Sequence, residues 1–141
     1  MKLKNLFPLV AVAGVIWLLA GCSKNPEPAL RQRVVAFTQL LMDDKFEPAV
    51  DYFDPDVVSR KGRTPIADVL KLIMTAAKNA AKASGREPAG FAVRTVNFYA
   101  DKSEATAHLV FFSTDAKGGD RRETPSDQRW VLKNKMWYVT Q

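Results

Sequence analysis

The period of the hydrophobic residues changes once along this chain, and that change limits the folds open to it. Up to Gly85, apolar residues recur every three or four positions, which is typical of helices that bury one face. From Phe91 onward, apolar and polar residues alternate, as in strands with one buried face. Helices followed by hairpin-linked strands predict an α+β fold, with the helices on one face of an antiparallel sheet.

Three helices are predicted in the first part, over residues 28–42, 46–53 and 64–83. We expect Asp54-Pro55-Asp56 to end the second, because a residue before proline is pushed out of the helical region. Thr64-Pro65 supplies the N-terminal cap and the first turn of the third helix, and Ser84-Gly85 ends that helix. The expected buried stripe of this third helix comprises Ile66, Leu70, Ile73, Ala77 and Ala80.

Four strands are predicted in the second part. The first two cover residues 91–100 and 104–114. Residues 115–126 are polar, so we expect a loop there. Residues 128–133 and 136–140 complete the sheet as a hairpin, with Asn134-Lys135 as its two-residue turn.

The N-terminal segment has the layout of a secretory signal peptide. Two lysines precede an apolar run over residues 6–20, which is shorter than the roughly 20 residues that a membrane span needs. The run ends in Leu19-Ala20-Gly21-Cys22, which resembles the bacterial lipobox. In that family a diacylglycerol is attached to the cysteine and a peptidase cuts before it. We therefore expect a lipoprotein with a signal peptide over 1–21, a lipidated Cys22 and tether over 22–28, and one domain over 29–141.

The lipobox resemblance also implies a location. Palmitate-type chains on Cys22 would hold the protein at a membrane of the cell envelope, and several chains anchor stably where one holds only marginally. By the sorting rules of that family, Ser23 favours the outer membrane, facing the periplasm. The alternative is an uncleaved membrane anchor with an incidental cysteine. Cys22 is the only cysteine, so the chain forms no internal disulfide and the folded domain has no catalytic thiol.

The net charge of the chain limits the classes of partner that we expect. The formal net charge is +6, and beyond residue 21 there are 19 basic against 15 acidic residues. This mild excess suits anionic lipid, another envelope polyanion or simple solvation. We expect no nucleic-acid partner, since no aromatic-basic binding motif is present. The basic segments Arg60-Lys61-Gly62-Arg63 and Arg121-Arg122 either contact phosphate or sugar-acid groups or are solvated loops.

The order of the elements resembles the nuclear transport factor 2-like superfamily, also called SnoaL-like or cystatin-like. The likeness rests on residues 44–53, on residues 53–58, and on the closing hairpin over 129–139 with a tryptophan on each strand. The resemblance implies a cone, in which helices close the concave face of a curved four-stranded sheet. In that superfamily the cone is a pocket in enzymes and ligand binders and is filled by side chains in others, so the fold alone does not decide the function.

Few residues carry obvious chemistry. His108 is the only histidine and a weak candidate for a general base, and no other histidine or thiol joins it as a metal ligand. The acidic cluster Asp51, Asp54 and Asp56 suits capping and solvation, since a catalytic aspartate needs an apolar pocket. We expect no metal and no cofactor, and a non-enzymatic domain in preference to an enzyme.

The sequence therefore predicts an envelope lipoprotein whose domain binds a small apolar ligand or an envelope protein. One alternative is a SnoaL-like carbon-acid isomerase, cyclase or dehydratase with His108 or an aspartate as base. Another is a structural adaptor in an envelope complex, and the resemblance also implies a homodimer across the sheet. An open apolar cone favours ligand binding, and an aromatic outer sheet favours the adaptor. The candidate pocket or interface residues are Tyr52, Phe98, Phe111, Trp130 and Trp137.

Overall fold

A computed structural model describes residues 25–140, in which helices are followed by a curled antiparallel sheet. The strands lie side by side in chain order, so each is joined to the next by a hairpin. The predicted α+β class, with helices on a four-stranded sheet, is confirmed. The helices are α1 (Glu27–Met42), α2 (Phe46–Ala49), α3 (Pro55–Lys61) and α4 (Arg63–Ala83), with a 3₁₀ turn over Val50–Tyr52. The strands are β1 (Arg86–Phe98), β2 (Glu104–Asp115), β3 (Arg121–Lys133) and β4 (Met136–Val139).

The signal peptide and the lipidation of Cys22 lie outside the described residues and stay predictions. Between residues 25 and 140, no helix has the length and apolar character needed to span a membrane.

Three segments differ from the sequence prediction, and one of them is β1, which begins at Arg86 and not at residue 91. Asp54-Pro55-Asp56 begins a helix as well as ending one, because Asp54 Oδ1 accepts a hydrogen bond from the Asp56 N–H at 3.0 Å and so caps α3. The predicted loop over 115–126 is wrong in its second half, where β3 begins at Arg121. That half is polar and yet pairs with β2 from Thr114 to Leu109, since a strand with exposed side chains needs no apolar alternation.

The predicted turns are confirmed where the backbone needs a positive φ. Asn134 and Lys135 have φ values of 50° and 65°, which gives the primed turn that suits a two-residue hairpin. Gly85 has a φ of 68° just beyond the C-terminus of α4, the left-handed conformation that glycine adopts without steric cost.

The core forms where α1 lies on the concave face of the sheet. The alanines of β2, Ala105 and Ala107, are fully buried there and let the helix approach closely. Phe37 is at the centre of this contact, with ring centroids 5.8 Å from Trp130, 5.9 Å from Phe53 and 5.8 Å from Tyr52. The buried residues of α1 are Leu30, Val34, Phe37, Thr38 and Leu41.

α4 is buried at one end only. Ile66 and Ala67 pack against Val50, but Ile73 is 58% exposed, and Ala77 and Ala80 are exposed as well. The predicted buried stripe is therefore right for the first turn and wrong for the second half of the helix. The helical period is present in the sequence, but the second half of α4 stands away from the concave face, so Ile73, Ala77 and Ala80 stay exposed.

The sheet curls because β1 is irregular. Its pairing with β2 shifts register between Pro88 and Gly90 and again between Val93 and Thr95. Each shift adds a residue to one strand, and such bulges increase the local bend and twist.

An ion pair joins α3 to the end of β3. Lys133 Nζ lies 2.5 Å from Asp54 Oδ2 and 3.0 Å from Asp56 Oδ2. The hydrogen bond from Lys133 lowers the pKa of Asp54, although burial of this carboxyl, which is 7% exposed, opposes that shift. The same two carboxylates raise the pKa of Lys133.

We predict that Asp54→Ala lowers the free energy of unfolding by about 1–2 kcal/mol at pH 7, mainly because the cap of α3 is lost. The folded-state pKa of Asp54 lies below its unfolded value, so its charge stabilises the fold above about pH 4. That contribution is lost as the pH falls through the folded-state pKa. Urea unfolding at pH 7 and pH 3 measures both effects, and the difference from wild type should narrow at pH 3. Asp56→Ala, which removes the exposed partner of Lys133, is the control and should cost less.

Candidate functional site

A cleft of about 740 Å³ opens between the second half of α4 and the concave face of β2 and β3. Its volume falls within the roughly 300–1,000 Å³ of small-molecule sites. The cleft exists because α4 stands away from the sheet beyond its first turns. Most of the surface inside it is apolar, and the residues that supply this surface include Leu41, Ile73, Met74, Ala77, Pro88 and Phe111.

The floor of the cleft is closed by a buried polar chain. Gln128 lines the cleft, and its Nε2 donates to Thr38 Oγ1 at 3.1 Å. Its Oε1 accepts from Trp130 Nε1 at 3.3 Å. The side-chain amide is therefore bonded on both sides, which holds α1 and β3 in one arrangement beneath the cleft.

Two of the cations that line the cleft are held by neighbours. Lys78 Nζ lies 2.6 Å and 2.7 Å from the two carboxylate oxygens of Asp44. Arg86 Nε donates to Ser113 Oγ at 3.0 Å, and its Nη1 donates to Asp120 Oδ2 at 3.0 Å. Lys78 therefore links α4 to the segment after α1, and Arg86 links the start of β1 to the β2–β3 hairpin.

The β2–β3 hairpin loop that carries Asp120 is itself organised by Asp115. Asp115 Oδ1 accepts from the Gly119 N–H at 2.9 Å and from the Lys117 N–H at 3.1 Å. The hydrogen bond from the Gly119 N–H is the main reason why the pKa of Asp115 is lowered; burial opposes this shift, and the hydrogen bond from Lys117 adds to it. The loop therefore presents Asp120 to Arg86 at the end of the cleft.

The structure separates the five aromatic residues that the sequence singled out. Phe111 lines the cleft, with its ring centroid 6.2 Å from that of Phe91. Trp130 and Trp137 are buried in the core, and Phe98 packs edge to face on Trp137 at 5.8 Å. Tyr52 packs on Phe37 and carries the Arg33 guanidinium 4.5 Å above its ring.

The wall of the cleft that α4 supplies was not predicted as a site from the sequence. Met74, Ala77 and Ala81 line the cleft, and the same helical period that predicts a buried stripe contains Ala77. The stripe of alanines on this long helix was the sequence signal for a cleft, because alanines leave space beside a sheet, and larger side chains would fill that space.

His108 lies on the convex face of the sheet, away from the cleft. The structure supplies the partners that the sequence did not: His108 Nδ1 lies 2.6 Å from Asp127 Oδ1, and Nε2 lies 3.0 Å from Asn97 Nδ2. A neutral ring that donates to Asp127 and accepts from Asn97 satisfies both contacts. Because both nitrogens are engaged on an exposed surface, the histidine has the geometry of a cross-strand structural pair.

The convex face is polar over most of β2 and β3. Besides the histidine pair it carries the ion pairs Arg94–Glu123 at 2.7 Å and Arg129–Glu104 at 3.3 Å. The outward aromatic of β2, Phe112, is 9% exposed and is covered by the Arg121 guanidinium at 3.5 Å. Within residues 25–140, no group of three acidic, histidine or cysteine side chains is placed to hold a metal ion.

Comparison with known proteins indicates the fold. No protein-family model matches the chain, and no curated protein matches it. A solved structure described as an NTF2-like transpeptidase from Campylobacter jejuni is 17% identical and superposes with a TM-score of 0.56, covering 83% of this chain and 98% of that one. The chain therefore has the NTF2-like fold, as its order of elements suggested. The intermembrane space region of the chloroplast protein ARC6 aligns over 76% of this chain and 92% of its own at 11% identity, but its TM-score of 0.33 is too low to indicate a shared fold.

We predict that Thr38→Val lowers the free energy of unfolding by about 1–3 kcal/mol, because Gln128 Nε2 is left buried without this acceptor. Urea unfolding measures the loss. Thr75→Val, an exposed threonine of α4, is the matched control and should stay within about 0.5 kcal/mol of wild type. Equal stabilities of the two variants would contradict a role for the polar chain beneath the cleft.

Proposed function

We propose that this chain is an envelope lipoprotein, anchored through an acylated Cys22, whose NTF2-like domain binds a small apolar ligand. The observation that carries the binding function is the open apolar cleft beside α4. A cone filled by side chains would have no such space. The lipobox-like Leu19-Ala20-Gly21-Cys22 supports the anchor.

The polar groups of the cleft favour binding over catalysis. Acid–base chemistry on a carbon acid needs an ionisable base that reaches the substrate. The carboxylate that borders the cleft, Glu123, is paired with Arg94, and His108 is on the other face of the sheet. Among the described residues, the cleft therefore offers no free base, which argues against the SnoaL-like enzyme.

A protein partner is the second candidate, and a specific feature of α4 favours it. Val69, Leu72 and Ile73 are 54%, 70% and 58% exposed, and Ile73 also lines the cleft. An exposed apolar stripe continuous with a cleft is typical of a surface covered in a complex. An adaptor would use this helix in preference to the polar convex face.

We predict that the domain retains a small molecule through purification when it is made in a bacterial periplasm. Both core clusters that the structure describes lie within residues 25–140, so the chain from Ser23 onward is suitable for native mass spectrometry. Ala77→Trp fills the cleft and should abolish the added mass. Ala76→Trp, the next exposed position on α4, is the control and should keep it.

The outcomes of that measurement separate the two candidates. An added mass that only Ala77→Trp removes supports the ligand-binding cleft. A wild-type mass equal to that of the protein alone counts against a tightly bound ligand and favours a protein partner at α4. An added mass retained by both variants would contradict binding in this cleft.

We also predict that Cys22→Ala abolishes both the acyl mass and the cleavage before residue 22 in the full-length protein, because the acyl chains have no other thiol to occupy. Intact mass measures both changes. Ser23→Ala, which leaves the cysteine in place, is the control and should keep the acyl mass and the cleavage. A wild-type protein with an unmodified Cys22 would contradict the lipoprotein proposal.

A further inference from the structure

The two neighbouring arginines at the start of β3 have opposite surroundings. Strand alternation sends successive side chains to opposite faces. Arg121 lies on the convex face, with its guanidinium 3.5 Å from the centroid of the Phe112 ring. Arg122 is paired in register with Ser113 and lines the cleft on the concave face. Of the basic pair Arg121-Arg122, the first residue therefore packs on the sheet, and the second lies at the cleft.

Arg122 differs from the other cations of the cleft. Lys78 is held by Asp44, and Arg86 is held by Ser113 and Asp120. The Arg122 side chain forms no hydrogen bond or ion pair with any of the residues that the structure describes, and it is exposed. Its guanidinium therefore keeps its full set of donors for a molecule in the cleft.

The charge at the hairpin end of the cleft, where Arg122 lies, is positive. Among the described residues, Asp44 neutralises Lys78, Asp120 neutralises Arg86 and Arg94 neutralises Glu123, so Arg122 is the lining charge without a counterion. Glu123 is drawn to the convex side by Arg94, at 2.7 Å. A guanidinium binds a carboxylate or a phosphate with two parallel hydrogen bonds, so this end of the cleft suits an oxyanion.

The rest of the cleft suits an apolar chain. On α4 the lining runs from Ile73 to Ser84, a length of about 16 Å at the helical rise. Apolar and small side chains dominate along that length, with Phe111 on the sheet side. Arg122 and Arg86 lie by the β2–β3 hairpin, at one end of this apolar surface.

We infer that the cleft selects a single-chain amphiphile with an oxyanion head group, a carboxylate or a phosphate monoester, and that Arg122 binds the head. This inference rests on the proposed ligand-binding function, and it names the chemical class of the ligand. The apolar chain lies between α4 and Phe111, and the head group lies at the hairpin end.

The test compares one chain with three head groups on the delipidated domain from Ser23 onward. Dodecanoate, dodecyl phosphate and the neutral 1-dodecanol are titrated below their micelle concentrations by calorimetry. We expect both anions to bind wild type roughly tenfold more tightly than dodecanol. A tenfold gain in affinity is about what one charge-assisted hydrogen bond contributes at a partly exposed site. Added salt should reduce that preference and leave dodecanol unaffected.

Arg122→Gln should bring the affinity of both anions down to that of dodecanol and leave dodecanol unchanged. Arg129→Gln, a cation of the convex face paired with Glu104, is the matched control and should keep the wild-type preference. If one anion alone is preferred, its head group is the one that Arg122 selects.

Three outcomes would count against the inference. Equal affinities of wild type for the anions and dodecanol would overturn it, and so would an equal loss for all three ligands in Arg122→Gln. In both cases the apolar ligand site of the proposed function would stand, because dodecanol still binds wild type. If none of the three ligands binds the folded wild type, the proposed function fails as well.

Discussion

The contact of Phe37 with Trp130 sets the arrangement of the whole domain. It fixes α1 across the concave face, where five of its residues are buried. The same phenylalanine also holds Tyr52 and Phe53, so the segment after α2 is positioned by this one ring. Since α1 takes the middle of the concave face, α4 can bury only Ile66 and Ala67 fully. The two helices thus share one face of the sheet, and the cleft is the space that they leave uncovered.

The two faces of the sheet divide the polar residues by role. On β3, Gln128 is buried beneath the cleft and bonds Thr38, whereas its neighbour Asp127 is on the convex face and bonds His108. The convex contacts lie across neighbouring strands and are exposed, so each contributes little on its own. The concave contact is buried, and its loss leaves a polar group without a partner. Residues adjacent in sequence therefore differ strongly in their importance to the fold.

Local periodicity predicted much of the fold and little of the site. The change from helical to alternating spacing indicated the α+β class, and Asn134-Lys135 indicated the last turn, because both depend on neighbours in sequence. The start of β3 was missed, because pairing with β2 and not side-chain polarity makes that segment a strand. The cleft could not be read from the stripe of α4, since its exposure depends on where α1 lies. The partner of His108 follows from the register of β2 and β3, which the sequence leaves open.

The bulges of β1 have a consequence for how this domain can associate. β1 and β4 are the outer strands, and an unprotected outer strand invites pairing with another chain. β1 carries Pro88 and two register shifts, and Arg31 Nη1 already occupies the carbonyl of Val93 at 2.9 Å. At the other side, β4 has only four residues, and Phe53 forms a bridge to its Val139. Both outer strands are poor templates for strand addition, so the sheet is protected against edge-to-edge polymerisation even at a high local concentration of the chain.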